Sequence, residues 1–243
     1  MAQFYRSPPP ANGVQNRTRS DGPHAIIWSA DLSALASARH NLIMDSTKAE
    51  IAAVAARAVV EEGLDFGTAK RRAAQQLGLS PRQGLPDHEA MEQAVQDYIA
   101  IFCPEEQAQE LAVLREIALV WMERLSRFQP LVGGAVWRGT ATRHSDIYLQ
   151  LFCEDPKVAE ITLIDMGIRF AASQVPGLHG DRVDALSVQI WCADFKAYVG
   201  LHLLINDLDG IRGALHADGQ GRRWRGDAKA LRALMDNGHH ART

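Results

Sequence analysis

Residues 133–152 read Gly-Gly-Ala-Val-Trp-Arg-Gly-Thr-Ala-Thr-Arg-His-Ser-Asp-Ile-Tyr-Leu-Gln-Leu-Phe, two adjacent glycines and a polar turn set directly ahead of a strict apolar alternation. A period of two puts Ile147, Leu149, Leu151 and Cys153 on one face of a strand, with Asp146, Tyr148, Gln150 and Phe152 on the other. The first face calls for a core. The second is a polar edge that opens onto whatever room Gly133 and Gly134 leave by lacking side chains.

In these residues the chain resembles the nucleotidyltransferase superfamily that includes polymerase beta and the minimal nucleotidyltransferases of prokaryotes. That family carries a Gly-Ser turn, a short Arg-Gly helical region and a strand reading Ser-Asp-apolar-Asp-apolar. Gly134 takes the place of the glycine, Arg138 and Gly139 that of the Arg-Gly, and Ser145, Asp146, Ile147 and Leu149 that of the strand. Two positions depart from the pattern: Ala135 replaces the phosphate-contacting serine, and Tyr148 replaces the second metal-binding carboxylate. The resemblance implies an α+β fold, with a helical N-terminal region packed on a nucleotidyltransferase-like mixed β-sheet. It also implies nucleotide contacts at Gly133, Gly134, Arg138 and Ser145, and a catalytic, metal-binding carboxylate at Asp146. The family supplies a third carboxylate from a neighbouring strand, for which Asp184, heading Val-Asp-Ala-Leu-Ser-Val, is the candidate by chain order; Asp165, expected on a helix, is the weaker one.

Nucleotidyl transfer needs metal ions to bridge the phosphates and to neutralise charge developing at the reacting oxygens. Carboxylates at i and i+2 of a strand point the same way and can hold such ions. Tyr148 offers instead a phenol that is neutral at pH 7 and a poor ligand for a hard cation. Two functions from different classes follow. One is a divergent relative with weakened or lost metal-dependent catalysis, acting as a nucleotide-binding or protein-interaction module. The other is an active enzyme that uses Mg2+ or Mn2+ to transfer a nucleoside monophosphate to an acceptor.

The other residues set bounds on these readings. A net charge of −3 over 243 residues provides no general field for nucleic acid or membrane. Cys103, Cys153 and Cys192 are widely spaced and each ends an apolar run, the usage of free buried thiols in a reducing compartment; a cytoplasmic location is expected. No apolar run approaches the roughly 20 residues of a membrane span. There is no Gly-x-x-x-x-Gly-Lys-Ser/Thr loop, no Gly-x-Ser-x-Gly elbow and no His-Glu-x-x-His. Arg222, Arg223 and Arg225 around Trp224 have a composition able to meet nucleic acid, yet the run is short and a packed tryptophan in a loop explains it as well.

Three regions are expected in order. Residues 1–43, rich in Pro, Gly and Asn breakers, read as a disordered leader. Residues 44–128 carry four amphipathic helices, read as a bundle with a common core. The first opens on a capping box, Thr47 with Glu50, and stops at Gly63; the second runs from near Thr68 to before Gly78 and carries Lys70, Arg71 and Arg72; the third is capped by Asp87; the fourth starts at Pro104 and ends before Pro130. Residues 129–243 form the α+β region. After the strand at 146–153, a helix is expected between Asp155-Pro156 and Gly167, strands at about 183–192 and 198–206, and a last helix from Asp227 to Gly238. His144 reads as a surface residue and His202, inside an apolar strand, as a hydrogen-bonded core histidine.

Overall fold

The computed structural model describes residues 27–79, 84–178, 180–217, 219 and 221–240. Two units divide after Met44, and in the first the described residues belong to the opening helix. That helix, α1 (Ile27–Glu62), starts some twenty residues ahead of the capping box, so Thr47 and Glu50 lie within it and residues 27–43 are helical where a leader without structure was expected. The segment has few breakers after Pro23, and a local cap signal does not stop a helix whose upstream residues can continue it. Residues 1–26 lie outside the described residues.

The next three helices follow their sequence signals closely. Gly63 ends α1 at φ 71°, the left-handed conformation that glycine adopts without penalty. α2 (Phe66–Gln76) is capped by Asp65, whose carboxylate accepts from Thr68 N, and α3 (His88–Phe102) by Asp87, which accepts from Ala90 N. α4 (Pro104–Arg124) has proline in its first turn, where the missing N–H costs nothing.

These helices do not share the single bundle core expected from their stripes. Ile51, Ala55, Ala73 and Met91 gather α1, α2 and α3 into one cluster, and Ala56, Val60, Val95 and Ile99 join α1 to α3 in another. By contrast, Leu114, Ala118, Trp121, Met122 and Leu125 of α4 bury among the sheet side chains. The wide apolar stripe of α4 fits a flat sheet better than the small alanine-rich faces of α1 and α2.

The sheet has six strands in the order β3-β4-β5-β2-β1-β6. Its members are β1 (Leu131–Gly133), β2 (Ile147–Phe152), β3 (Ala171–Pro176), β4 (Arg182–Cys192), β5 (Ala197–Asn206) and β6 (Arg225–Gly226). Only β2 and β5 pair in parallel, so the sheet is mixed. α5 (Gly134–Arg138) links β1 towards β2. α6 (Pro156–Asp165) follows β2, capped by Asp155 as the Asp-Pro signal implies, and Gly167 closes its end at φ 69°. A short helix α7 (Ile211–Ala214) and the last helix α8 (Ala228–His240), capped by Asp227, complete the chain.

One face of the sheet is core. Ile147, Leu149 and Leu151 of β2, Leu186 and Val188 of β4, and Val199, Leu201, Leu203 and Ile205 of β5 bury there against α4, Leu163 of α6 and Leu231 of α8. The opposite face is half covered. Phe152 and Leu131 pack on Ala214, Ile211 and Leu215, which explains why Gln150 and Phe152, on the polar side of the alternation, are nevertheless buried. Beyond that cover, Asp146, Tyr148, Gln189, Trp191 and Tyr198 are exposed, and Ser187 and His202 half-buried.

Candidate functional site

The open half of that face is positioned by strand register. Tyr148 stands beside His202 across the parallel β2–β5 pair, and His202 beside Ser187 across the antiparallel β4–β5 pair. Asp146, the residue before β2, reaches over β5: its Oδ1 accepts from Gly200 N at 3.2 Å and its Oδ2 from His202 Nε2 at 3.1 Å. An ionised carboxylate only accepts, so Nε2 carries a proton, and in the neutral ring Nδ1, 2.9 Å from Ser187 Oγ, accepts a hydrogen bond from the serine hydroxyl. The Tyr148 ring stacks on His202 with centroids 4.8 Å apart. The hydrogen bond from His202 holds the Asp146 carboxyl below the ordinary carboxylate range, against the opposing effect of burial, while burial pushes the Tyr148 phenol up.

The loop that delivers Asp146 is held by the helices. Gln107 of α4, buried, donates its amide to Gly139 O at 3.0 Å and Ala141 O at 2.8 Å. Glu110 accepts from Arg143 N at 2.9 Å, and Thr140 Oγ1 donates to Glu92 Oε1 of α3 at 2.9 Å. Ser145 Oγ accepts from Thr142 N at 3.0 Å, which closes the turn immediately before Asp146. Ser145 is the residue expected to contact a nucleotide.

The glycines stand where the sequence places them. Gly133 pairs with Tyr148, and Gly134, at φ 66°, begins α5 with its Cα facing the Tyr148 ring; a Cβ there would lie 3.6 Å from Tyr148 Cδ2. Arg138, expected to contact phosphate, has its Nε 2.9 Å from Glu92 Oε1 of α3 in an ion pair, both side chains at least four-fifths buried. The Lys70–Arg72 cluster is likewise engaged, through Lys70 with Pro86 O, Arg71 with Thr68 and Arg72 with Glu62. Arg222 pairs with Glu89 at 2.9 Å and lies over Trp224.

Asp184 does not join Asp146. It pairs across β5 with Ile205, whereas Asp146 bonds Gly200, five residues earlier on the same strand, a distance of about 16 Å along it. It also points the other way, since Leu186 and Val188, which alternate with it in steps of two, are on the core face. Its Oδ1 accepts from Gln174 Nε2 at 3.2 Å on the neighbouring strand. Chain order put Asp184 at a strand head but carried no register. Asp165 ends α6.

The residue that sequence reasoning passed over is His202. Its hydrogen bonding was anticipated, its partner was not: Asp146 is 56 positions away, and only parallel β2–β5 pairing unites them. Among the described residues no three His, Cys, Asp or Glu side chains cluster to hold a metal ion. The set around Asp146 does not fit the two-ion magnesium chemistry that the family resemblance implies, because it offers one carboxylate, an imidazole and a phenol where hard cations need several anionic oxygens. Cys103, Cys153 and Cys192 are free thiols. Among the described residues no helix is long and apolar enough to cross a membrane.

No model of a known protein family and no curated protein matches the chain. Solved structures of the Cid1 poly(U) polymerase are similar to part of it. The complex with the UTP analogue UMPNPP shares 16% identity over 49% of this chain and 37% of that one, with a TM-score of 0.30. The MgGTP-bound form shares 14%, covering 49% and 39%, with a TM-score of 0.31, and a variant bound to MgATP shares 17%, covering 49% and 39%, with a TM-score of 0.30. The chain spans less than two fifths of the length of these proteins.

Proposed function

We propose that this chain is a nucleotidyltransferase-like protein whose open sheet face binds a nucleotide, with metal-dependent transfer weakened or lost. The observation that carries it is the composition of the pair at the centre of that face. Asp146 keeps the first carboxylate of the strand signature, Tyr148 stands where a two-ion enzyme has its second, and His202 takes up Asp146 Oδ2. Gly133 and Gly134 leave space beside Tyr148. Tyr148 and His202 present stacked rings on which a base can lie. Asp146 and His202 are the central residues, and Arg138 and Ser145 serve to hold the loop.

Calorimetric titration with each of the four nucleoside triphosphates, with and without MgCl2 or MnCl2, tests this reading when followed by a pyrophosphate-release assay. Saturable binding without pyrophosphate is the expected result. Pyrophosphate release that disappears in Asp146→Asn restores the active Mg2+- or Mn2+-dependent nucleotidyltransferase. Absence of binding by every triphosphate overturns the nucleotide reading and leaves a protein-interaction module.

A further inference from the structure

We infer that Ser187, His202 and Asp146 form a nucleophile–base–carboxylate relay, which makes the open sheet face an acyl-transfer site for aryl esters of carboxylic acids. This activity goes beyond nucleotide binding and requires neither a nucleotide nor a metal ion.

The relay crosses three neighbouring strands. Ser187 of β4 stands beside His202 of β5 in the antiparallel register, and the parallel β5–β2 pair brings Asp146, the residue before β2, to the other side of the ring. Ser187 Oγ is 2.9 Å from His202 Nδ1, and His202 Nε2 is 3.1 Å from Asp146 Oδ2. Gly200 N donates to Asp146 Oδ1 at 3.2 Å and fixes the carboxylate. These contacts are within the reach that nucleophilic catalysis asks of a hydroxyl, a base and the group that orients the base. The ring nitrogens are exchanged relative to the familiar serine hydrolases, in which the hydroxyl meets Nε2. The roles depend on geometry, and either nitrogen can carry the proton.

The trio lies open to a substrate. The Asp146 side chain is 46% exposed and that of His202 24%, and Ser187 is half-buried. Tyr148, exposed and stacked on His202, offers an aromatic surface beside the base on which an aryl leaving group can lie. Gln189 is exposed two residues beyond Ser187 on the same face, and its side-chain amide makes no hydrogen bond among the described residues. That amide is the donor available to the carbonyl oxygen as it gains charge.

In the first half-reaction Ser187 Oγ attacks the ester carbonyl carbon while its proton passes to His202 Nδ1, and the carbonyl π electrons move onto oxygen. The imidazolium so formed keeps its Nε2–H bond to Asp146, whose carboxyl is held below the ordinary carboxylate range and stays ionised. When the carbonyl re-forms, the bond to the leaving oxygen breaks and that oxygen takes the proton from Nδ1, so that a phenol departs and the acyl group remains on Ser187. Water then attacks the acyl carbon and gives a proton to Nδ1. Ser187 Oγ leaves and recovers that proton. One ester and one water become one acid and one phenol.

The test is to treat the full wild-type chain with p-nitrophenyl acetate and, separately, with a fluorophosphonate, and to map the adducts by peptide mass spectrometry. Adducts of both reagents on Ser187 are expected, with hydrolysis of the acetate lost in Ser187→Ala and slowed at least about 100-fold in His202→Ala. Circular dichroism and thermal melts verify that the variants fold, and the adduct map of the wild-type chain decides without them. Adducts only on other residues, no adduct at all, or hydrolysis unchanged in folded Ser187→Ala or His202→Ala would overturn the relay. Triphosphate titration of the same wild-type chain reports separately on the proposed function. Binding without a Ser187 adduct removes the relay alone, and a Ser187 adduct without binding removes the nucleotide reading alone.

Discussion

Gly200 decides where Asp146 can lie. A Cβ at this position would collide with the Asp146 carboxylate, which crosses β5 over the bare Cα. Gly200→Ala is therefore expected to push the carboxylate off His202 and to cost about 1–3 kcal/mol in a denaturant melt. Broken hydrogen bonding between Asp146 and His202 should show in the imidazole nitrogen shifts of His202 by NMR, and unchanged shifts would mean that the carboxylate has stayed in place. A further expectation follows from the lowered Asp146 carboxyl. A folded-state value below the unfolded value of about 3.9 means a contribution fully present above that pH and lost as the pH falls through the lowered folded value. Exposure of nearly half the side chain keeps that contribution modest. The stability gap between wild type and His202→Ala should accordingly narrow below about pH 4, and a gap constant down to pH 2 would assign it to lost packing alone. Asp146 itself was legible in the sequence because alternation gives its face directly. His202 was not, because alternation says which face a residue takes and never which distant strand lies beside it.

Among the elements, α4 is the one whose destination decides how the helical region meets the sheet. Leu114, fully buried, lies among sheet residues, so Leu114→Ala should cost about 2–5 kcal/mol and lower the melting temperature of the sheet and of α4 together. Retention of full stability would mean that α4 packs with the other helices after all. Several helix ends set by a side chain or a glycine were legible: Asp87, Pro104, Asp155 and Gly167 act as read, whereas the Asp65 cap of α2 was not singled out. The start of α1 was not, since a capping box inside a continuous helix looks the same as one at its end. β3 escaped notice for a different reason. It is an edge strand, its residues 171–174 are exposed on both faces, and Ala-Ala-Ser-Gln shows neither alternation nor β-branched side chains.

At the scale of the molecule, the helices reach the site through the loop that ends at Asp146, and the link with the highest energetic stake is Glu92 of α3 with Arg138 of α5. Glu92 Oε1 lies against Arg138 Nε and accepts from Thr140 Oγ1, while its Oε2 is buried with no hydrogen bond among the described residues. Removing one partner of a buried pair leaves an uncompensated charge, so Glu92→Ala is expected to destabilise by about 3–5 kcal/mol. Combining it with Arg138→Met removes both charges, and the double variant should be more stable than the sum of the two single effects by over about 1 kcal/mol, the coupling of groups in direct contact. A denaturant-melt double-mutant cycle measures this. The same cycle decides between the two roles for Arg138. A guanidinium kept for phosphate would, once replaced by methionine, lower triphosphate affinity while leaving the melting midpoint where it was. A guanidinium that ties α3 to α5 lowers the midpoint, and any weakening of nucleotide binding then follows from the loop carrying Asp146 shifting out of place.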